Sequence, residues 1–391
     1  MSWKAKRKDE QRFDLVRQMR VGAVSVVELC RRFKISRKTA YKWRERYRIG
    51  TLKGLQDRSH RPKRMAGQTS KLWLQRLRRL RVLHGTWGGR KLRECLGRGF
   101  GRRGVPSVTT ISRWLKRWGL VEVRKRRLLG PILKRPEVRP GRYCHEVWTV
   151  DFKGWFRTGD GTRVEPLTVR DLYSRYGLGI RLLRRQGVKE TQREFVRLFK
   201  EYGLPKRIRC DNGTPFGGAG PTGLTRLSAW WVKLDIEVEF ITPGRPCENG
   251  AHEQFHRVYK AEVAAHPKRG LISQQRRSTQ WLRAYNEERP HEALGLKVPA
   301  QLYRKNSRAM PQRIKPWKYP RKWQTRWVRG NGEINWQGKR RFVGQAFVRD
   351  YVGLQPCGKG VWRVYFCRML IGELLEMEQG GIRIAKYGRG K

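Results

Sequence analysis

No apolar run in this sequence is long enough to cross a bilayer, which takes about 20 residues. The opening residues, MSWKAKRKDEQRF, are charged and lack the apolar stretch of a secretory leader. A membrane partner is therefore not expected, and the expected location is the cytoplasm. Cysteine is sparse and scattered: the seven residues form no C-x-x-C pair, which argues against a disulfide framework or a structural zinc site and for reduced thiols. Acidic residues are scarce beside basic ones. Against 91 Lys and Arg stand 32 Asp and Glu, a net charge of +59. A chain so charged needs a polyanion. Nucleic acid suits it better than anionic lipid or ribosome-type packing, because lysine and arginine displace condensed counterions from phosphates.

The chain length of 391 residues leaves room for two or three domains. Phe13, Val16 and Met19 recur at helical spacing. Ser25 with Glu28 three residues on reads as a capping box, and Ser36 reads as the N-cap of a basic helix with Ala40, Trp43 and Tyr47 on its inner face. Helix, tight turn and basic helix is the helix-turn-helix plan, and places Arg37, Lys38, Thr39, Lys42 and Arg44 as candidates for DNA contact. The plan recurs: SKLWLQRLRRLRVLHG, GGRKLRECLGRG and then VPSVTTISRWLKRWGLV, capped by Ser107 and closed by Gly119, with Thr109, Thr110 and Arg113 as further candidates for DNA contact. Domains are expected at 1–60 and 61–125, followed by a basic linker at 126–142.

From His145 the texture changes to Val, Thr, Tyr, Phe and Trp, as in strands. The order read to about residue 260 is three strands, helix, strand, helix, strand, helix: a mixed α/β sheet covered by helices. Three carboxylates occupy informative places within it. Asp151 lies in an apolar strand, where a charge is costly unless paired or metal-bound. Asp211 follows a strand directly, where α/β sheets gather ligands. Glu253 lies on the last helix. Together they suit Mg²⁺ or Mn²⁺, and two such ions can clamp the attacking and leaving oxygens of phosphoryl transfer. Asp171, between Arg170 and Arg175, is expected to form an ion pair; Asp160 is expected in a hairpin turn. Glu248 and Glu253 stand about 140° apart on a continuous helix, so only one can face the site. Glu248 is read as a cap. Glu253 shares its face with Arg257 and Lys260, expected to meet the DNA end. His252 and His256 lack a third zinc ligand, and His256 is assigned to phosphate contact.

The stretches WTVDFKG, LPKRIRCDNGTPF, EVEFITPGRPCENGAHEQFHRVYKAE and YNEERPHEALGLKVPAQLYR resemble bacterial insertion-sequence transposases of the DDE type, from the branch similar to retroviral integrases. The resemblance implies a ribonuclease-H-like catalytic core, here 143–306, with Asp151, Asp211 and Glu253 as its metal-binding acids. It further implies double-stranded DNA, both transposon ends and target, as partner, and a homo-oligomer of at least two copies. A basic Pro-rich linker (307–324) and a small β-barrel (325–391) complete the expected architecture. Two features depart from the integrase pattern: helix-turn-helix units replace the His/Cys zinc domain, and 42 positions separate Asp211 from Glu253. The glycine-rich PFGGAGPTGL is read as absorbing that length as a loop. The competing readings are a silent DNA-binding descendant and a nuclease that cuts without joining.

Overall fold

The computed structural model describes residues 7–58, 69–121, 139–218, 220, 222–242 and 249–383. The chain divides into two compact units, 1–69 and 70–391.

The first unit holds α1 (Lys8–Val21), α2 (Val26–Arg32) and α3 (Arg37–Gly54). The Ser25 hydroxyl accepts from the Glu28 amide at 3.3 Å, and Ser36 from the Thr39 amide at 3.2 Å, so each serine satisfies an amide orphaned at a helix start. Leu15, Val16, Leu29, Ala40 and Trp43 bury together as its small core.

Within the second unit, α4 (Lys71–Leu83), α5 (Gly89–Phe100) and α6 (Val108–Arg117) repeat the plan around Leu77, Trp87, Leu92, Leu96, Ile111 and Leu115. Ser107 caps α6, accepting from the Thr110 amide at 3.1 Å. Ser107→Ala is expected to cost about 1 kcal/mol, read as a drop in the urea midpoint. Of the basic linker expected at 126–142, residues 126–138 lie outside the described residues.

The sheet contains β1 (Val147–Phe152), β2 (Phe156–Arg157), β3 (Arg163–Asp171), β4 (Gly177–Leu183), β5 (Arg207–Cys210) and β6 (Glu237–Phe240). Its path is β2-β3-β1-β5-β6, with β4 on β3. β1 pairs antiparallel with β3 and parallel with β5, so the sheet is mixed as expected. Strand alternation sorts the two faces. Trp148, Val150, Leu167, Val169, Ile208 and Cys210 pack under α7 (Val188–Tyr202) and α8 (Arg226–Lys233). The opposite face carries Thr149, Asp151 and Thr168 toward α9 (Gly250–Tyr259). α9 runs on through a π-helical turn, Lys260–Ala264, and packs with α10 (Leu271–Glu287) around Phe255, Tyr259, Val263 and Tyr285.

After α11 (Pro299–Leu302) comes the segment expected as a linker. It is pinned rather than loose: Arg308 donates to the Leu234 and Asp235 carbonyls at 2.6 and 2.8 Å, and Tyr319 Oη donates to the Tyr351 carbonyl at 3.0 Å. The C-terminal strands are β7 (Gln324–Trp327), β8 (Glu333–Trp336), β9 (Lys339–Phe342), β10 (Tyr351–Pro356), β11 (Val361–Phe366) and β12 (Met369–Leu375). They form a four-stranded sheet β12-β11-β10-β7 and a separate β8-β9 ribbon. The expected barrel is thus not closed by strand pairing among the described residues. Its apolar face packs on Leu224, Ala229 and Val232 beside and within α8, which supplies the burial that closure would otherwise give.

Candidate active site

Register places the first two acids. Thr149 pairs with Arg209 across parallel β1 and β5. Asp151 lies two residues beyond that pair near the end of β1, and Asp211 lies two residues beyond it, directly after β5, so both sit at the carboxyl ends of neighbouring parallel strands. The environment of Asp151 reports the company it keeps. Burial, then the Asp211 charge, raises its carboxyl to about 7, against a helping backbone amide, and the Glu253 charge pushes the same way. Burial also raises Asp211. Glu253 is exposed on the first turns of α9.

A polar ladder seats α9 on the sheet. Thr168, the cross-strand partner of Asp151, donates its hydroxyl to the Asp151 carbonyl at 3.0 Å. The same oxygen lies 2.7 Å from Nε2 of both His252 and His256. A hydroxyl has one proton, and with it directed at the Asp151 carbonyl both imidazoles donate from Nε2. Nδ1 of His252 then accepts from the Thr149 hydroxyl at 2.8 Å. Nδ1 of His256 faces Asp151 Oδ2 at 3.7 Å. Burial keeps both rings neutral, holding His256 down at about 3 and His252 well below its usual value.

His256 therefore turns inward to Thr168 and Asp151 instead of outward to phosphate. Arg257 and Lys260 are exposed on α9 and at its end. Lys153, two residues after Asp151, was not singled out by sequence; burial and the nearby Lys260 charge lower its ammonium. Asp171 also differs from expectation. It is fully buried and accepts from the His145 amide at 2.7 Å and from the Ser174 amide and hydroxyl at 2.8 and 2.6 Å, so it organises a turn instead of an ion pair. Arg170 points into the core and donates to the Ala251 carbonyl at 2.5 Å, under the start of α9. Asp160 takes the hairpin role, accepting from the Thr162 amide at 3.1 Å. Glu248, Cys247 and the rest of 243–248 lie outside the described residues.

Among the described residues, no three His, Cys, Asp or Glu side chains converge as ligands of a single ion. The donor set nonetheless fits a hard divalent cation. All three groups are carboxylates, Asp211 Oδ1 is buried with no hydrogen-bond partner, and Asp151 carries uncompensated negative charge around it.

On the helical units, Arg37, Lys38, Lys42, Arg44, Thr109 and Arg113 are exposed. Thr39 and Thr110 are half-buried, each 3.0 Å from the hydroxyl of its capping serine, Ser36 or Ser107. Their hydroxyls are engaged in the caps.

Comparison with known proteins matches residues 144–246 and 234–299 to two integrase core domain models, 11–63 to a helix-turn-helix domain, 39–115 to a homeodomain-like domain, and 323–380 to the C-terminal domain of the IS481 family transposases. An uncharacterized 31.7 kDa protein of insertion element IS407 from Burkholderia multivorans is 26% identical over 197 residues, 50% of this chain and 69% of that protein. An uncharacterized 39.2 kDa protein of insertion element IS476 from Xanthomonas euvesicatoria is 28% identical over 233 residues, 58% of this chain and 63% of that protein. The HTLV-2 integrase catalytic core domain in complex with magnesium aligns over 42% of this chain and 99% of its own, at 15% identity and a TM-score of 0.33. A simian T-cell lymphotropic virus intasome chain aligns over 80% of this chain and 100% of its own, at 13% identity and a TM-score of 0.37.

Proposed function

We propose that this chain, a member of the bacterial insertion-sequence transposases with an integrase core, cuts the ends of its element and joins them to target DNA at a ribonuclease-H-like site formed by Asp151, Asp211 and Glu253. The observation that supports the reading is the position of Asp151 and Asp211 at the carboxyl ends of the parallel neighbours β1 and β5, with the Asp211 and Glu253 charges both reaching Asp151. These acids would hold Mg²⁺ or Mn²⁺, two ions per site; when bound, such ions activate an attacking oxygen and stabilise a leaving one. The attacking oxygen comes first from water, freeing a 3′-hydroxyl at the element's end. That hydroxyl then attacks a target phosphodiester. No protein side chain becomes covalently attached.

The chain's own residues position the DNA. Lys153, Arg257 and Lys260 offer cations beside the acids for the phosphates at the cut. Helices α3 and α6 enter major grooves of the terminal repeat, with Arg37, Lys38, Lys42, Arg44, Thr109 and Arg113 toward it. Two ends must be joined, so the working form is at least a dimer on double-stranded DNA. Among the described residues no helix is long and apolar enough to cross a membrane; a cytoplasmic, nucleoid-associated location belongs to this proposal.

The test incubates the chain with a labelled duplex carrying the element's terminal repeat in Mg²⁺. Joined product is expected. Nicked product alone indicates a nuclease without strand transfer, and neither product indicates a silent DNA-binding protein. Arg113→Ala is expected to weaken terminal-repeat binding by about 5- to 150-fold if it reads a base, and to flatten the salt dependence by about one unit if it contacts phosphate. A salt titration by gel shift on cognate and scrambled duplexes separates the two.

A further inference from the structure

Glu262 lies nine residues beyond Glu253 on the same α9–π segment, and its carboxylate is the meeting point of two domains. Oε1 accepts from Arg289 Nη1 at 2.7 Å and from the Thr86 hydroxyl; Oε2 accepts from the Trp281 indole at 2.5 Å. The Glu262 carbonyl takes a further bond from Arg277 at 2.8 Å. Trp281 and Arg277 stand on α10 of the core, whereas Thr86 belongs to the α4–α5 turn of the second helix-turn-helix unit. The neighbourhood is built around this contact. The Arg289 guanidinium sits 5.8 Å from the ring centre of buried Trp87, which stacks on His84 at 3.7 Å. At the rim Arg90 pairs with Glu292 at 3.3 Å, and Arg98 donates to the Glu288 carbonyl at 3.1 Å. Enclosed ion pairs of this kind add little net stability, but they fix geometry, because a displaced partner leaves a charge uncompensated.

We propose that Glu262 is a positioning residue that locks the second helix-turn-helix unit to the helix bearing Glu253, so that the cut falls at a fixed distance from the bases α6 reads. The inference rests on the transposase reading above. The clamp sets where cleavage happens, and Glu253 takes part in whether it happens. Loosening the clamp leaves α6 and the acids intact but no longer in register.

The test uses the full chain with Glu262→Ala and Thr86→Val, the latter an exposed position outside the core that keeps the test open if the first variant folds poorly. Cut positions are mapped to the nucleotide on a labelled end duplex in Mg²⁺, and backbone amide exchange is followed across 84–87. Both variants are expected to bind the duplex within about three-fold of wild type. Cuts are expected to spread over neighbouring phosphodiesters, with correct cutting down at least ten-fold for Glu262→Ala and less for Thr86→Val, and with faster exchange at 84–87. Single-site cutting at the wild-type position by both variants overturns the proposal, and so does a reduced rate with an unchanged position. A wild-type chain that cuts no end overturns the transposase reading itself, and the two failures are told apart by the wild-type lane.

Discussion

Asp151→Asn is expected to lower strand transfer by about a thousand-fold or more while making the metal-free protein more stable at pH 8. In the proposed function the loss of activity follows from removing a ligand of the divalent ion that would stabilise charge at the reacting phosphate. The gain in stability follows from linkage. Folding raises the Asp151 carboxyl to about 7, from an unfolded value near 3.9. Between those values the folded state holds a proton that the unfolded state has released, so stability falls as pH rises through the window. Above pH 7 the full cost is present, about 2–4 kcal/mol after allowance for residual solvent contact. Asparagine carries no charge and removes that cost. The wild-type melting temperature should therefore decline from pH 5 to pH 8 more steeply than that of Asp151→Asn. Adding Mg²⁺ at pH 8 should raise the wild type and leave the variant nearly unmoved. Identical pH profiles for the two proteins would show that Asp151 is not held in a crowded acidic site.

Thr168→Val should destabilise the protein by about 2–4 kcal/mol in urea unfolding although it changes no charge and little volume. The hydroxyl is the common acceptor for two imidazole N–H groups and the donor to the Asp151 carbonyl. Valine leaves the two imidazole N–H groups without that partner in a largely buried place, where orphaned polar groups cost far more than a hydrogen bond returns. Thr168→Ser keeps the oxygen and should lie within about 1 kcal/mol of wild type. A Thr168→Val protein as stable as wild type would remove the ladder as the device that seats α9. The same substitution should weaken activity, since α9 carries Glu253 and Thr168 braces Asp151.

The sequence made some of this legible and left the rest to register. Ser25, Ser36 and Ser107 announced their helices because a cap is a local event, complete within four residues. The order of strands and helices through the core was readable because each element repeats its own apolar period. Asp151 and Asp211 could be picked out by their positions in or after strands, but only the parallel pairing of β1 with β5 makes those strands neighbours. Thr168 carried no signal: its importance comes from lying opposite Asp151, 17 residues away in the chain. His256 was misassigned because a polar side chain three residues after an exposed acid reads as outward, whereas the α9 face carrying His252 and His256 is the one laid on Thr149 and Thr168. Asp171 was misassigned for a related reason. Flanking arginines suggested an ion pair, but strand alternation sends Arg170 to the opposite side, and Asp171 meets the backbone amides of a turn. Short strands between glycine-containing turns suggest a small barrel or sandwich at 325–391, but do not reveal that α8 already covers the sheet's apolar face.

In the proposed function Asp151, Asp211 and Glu253 act as one metal-dependent site. That joint action is tested most directly by measuring Mn²⁺ binding and strand transfer side by side for Asp151→Asn, Asp211→Asn and Glu253→Gln, with terminal-repeat binding as the control for folding. Each variant is expected to bind the repeat like wild type, lose at least one Mn²⁺ site and form no joined product. Joining at the wild-type rate by any one of the three, with its fold intact, would contradict the proposed function.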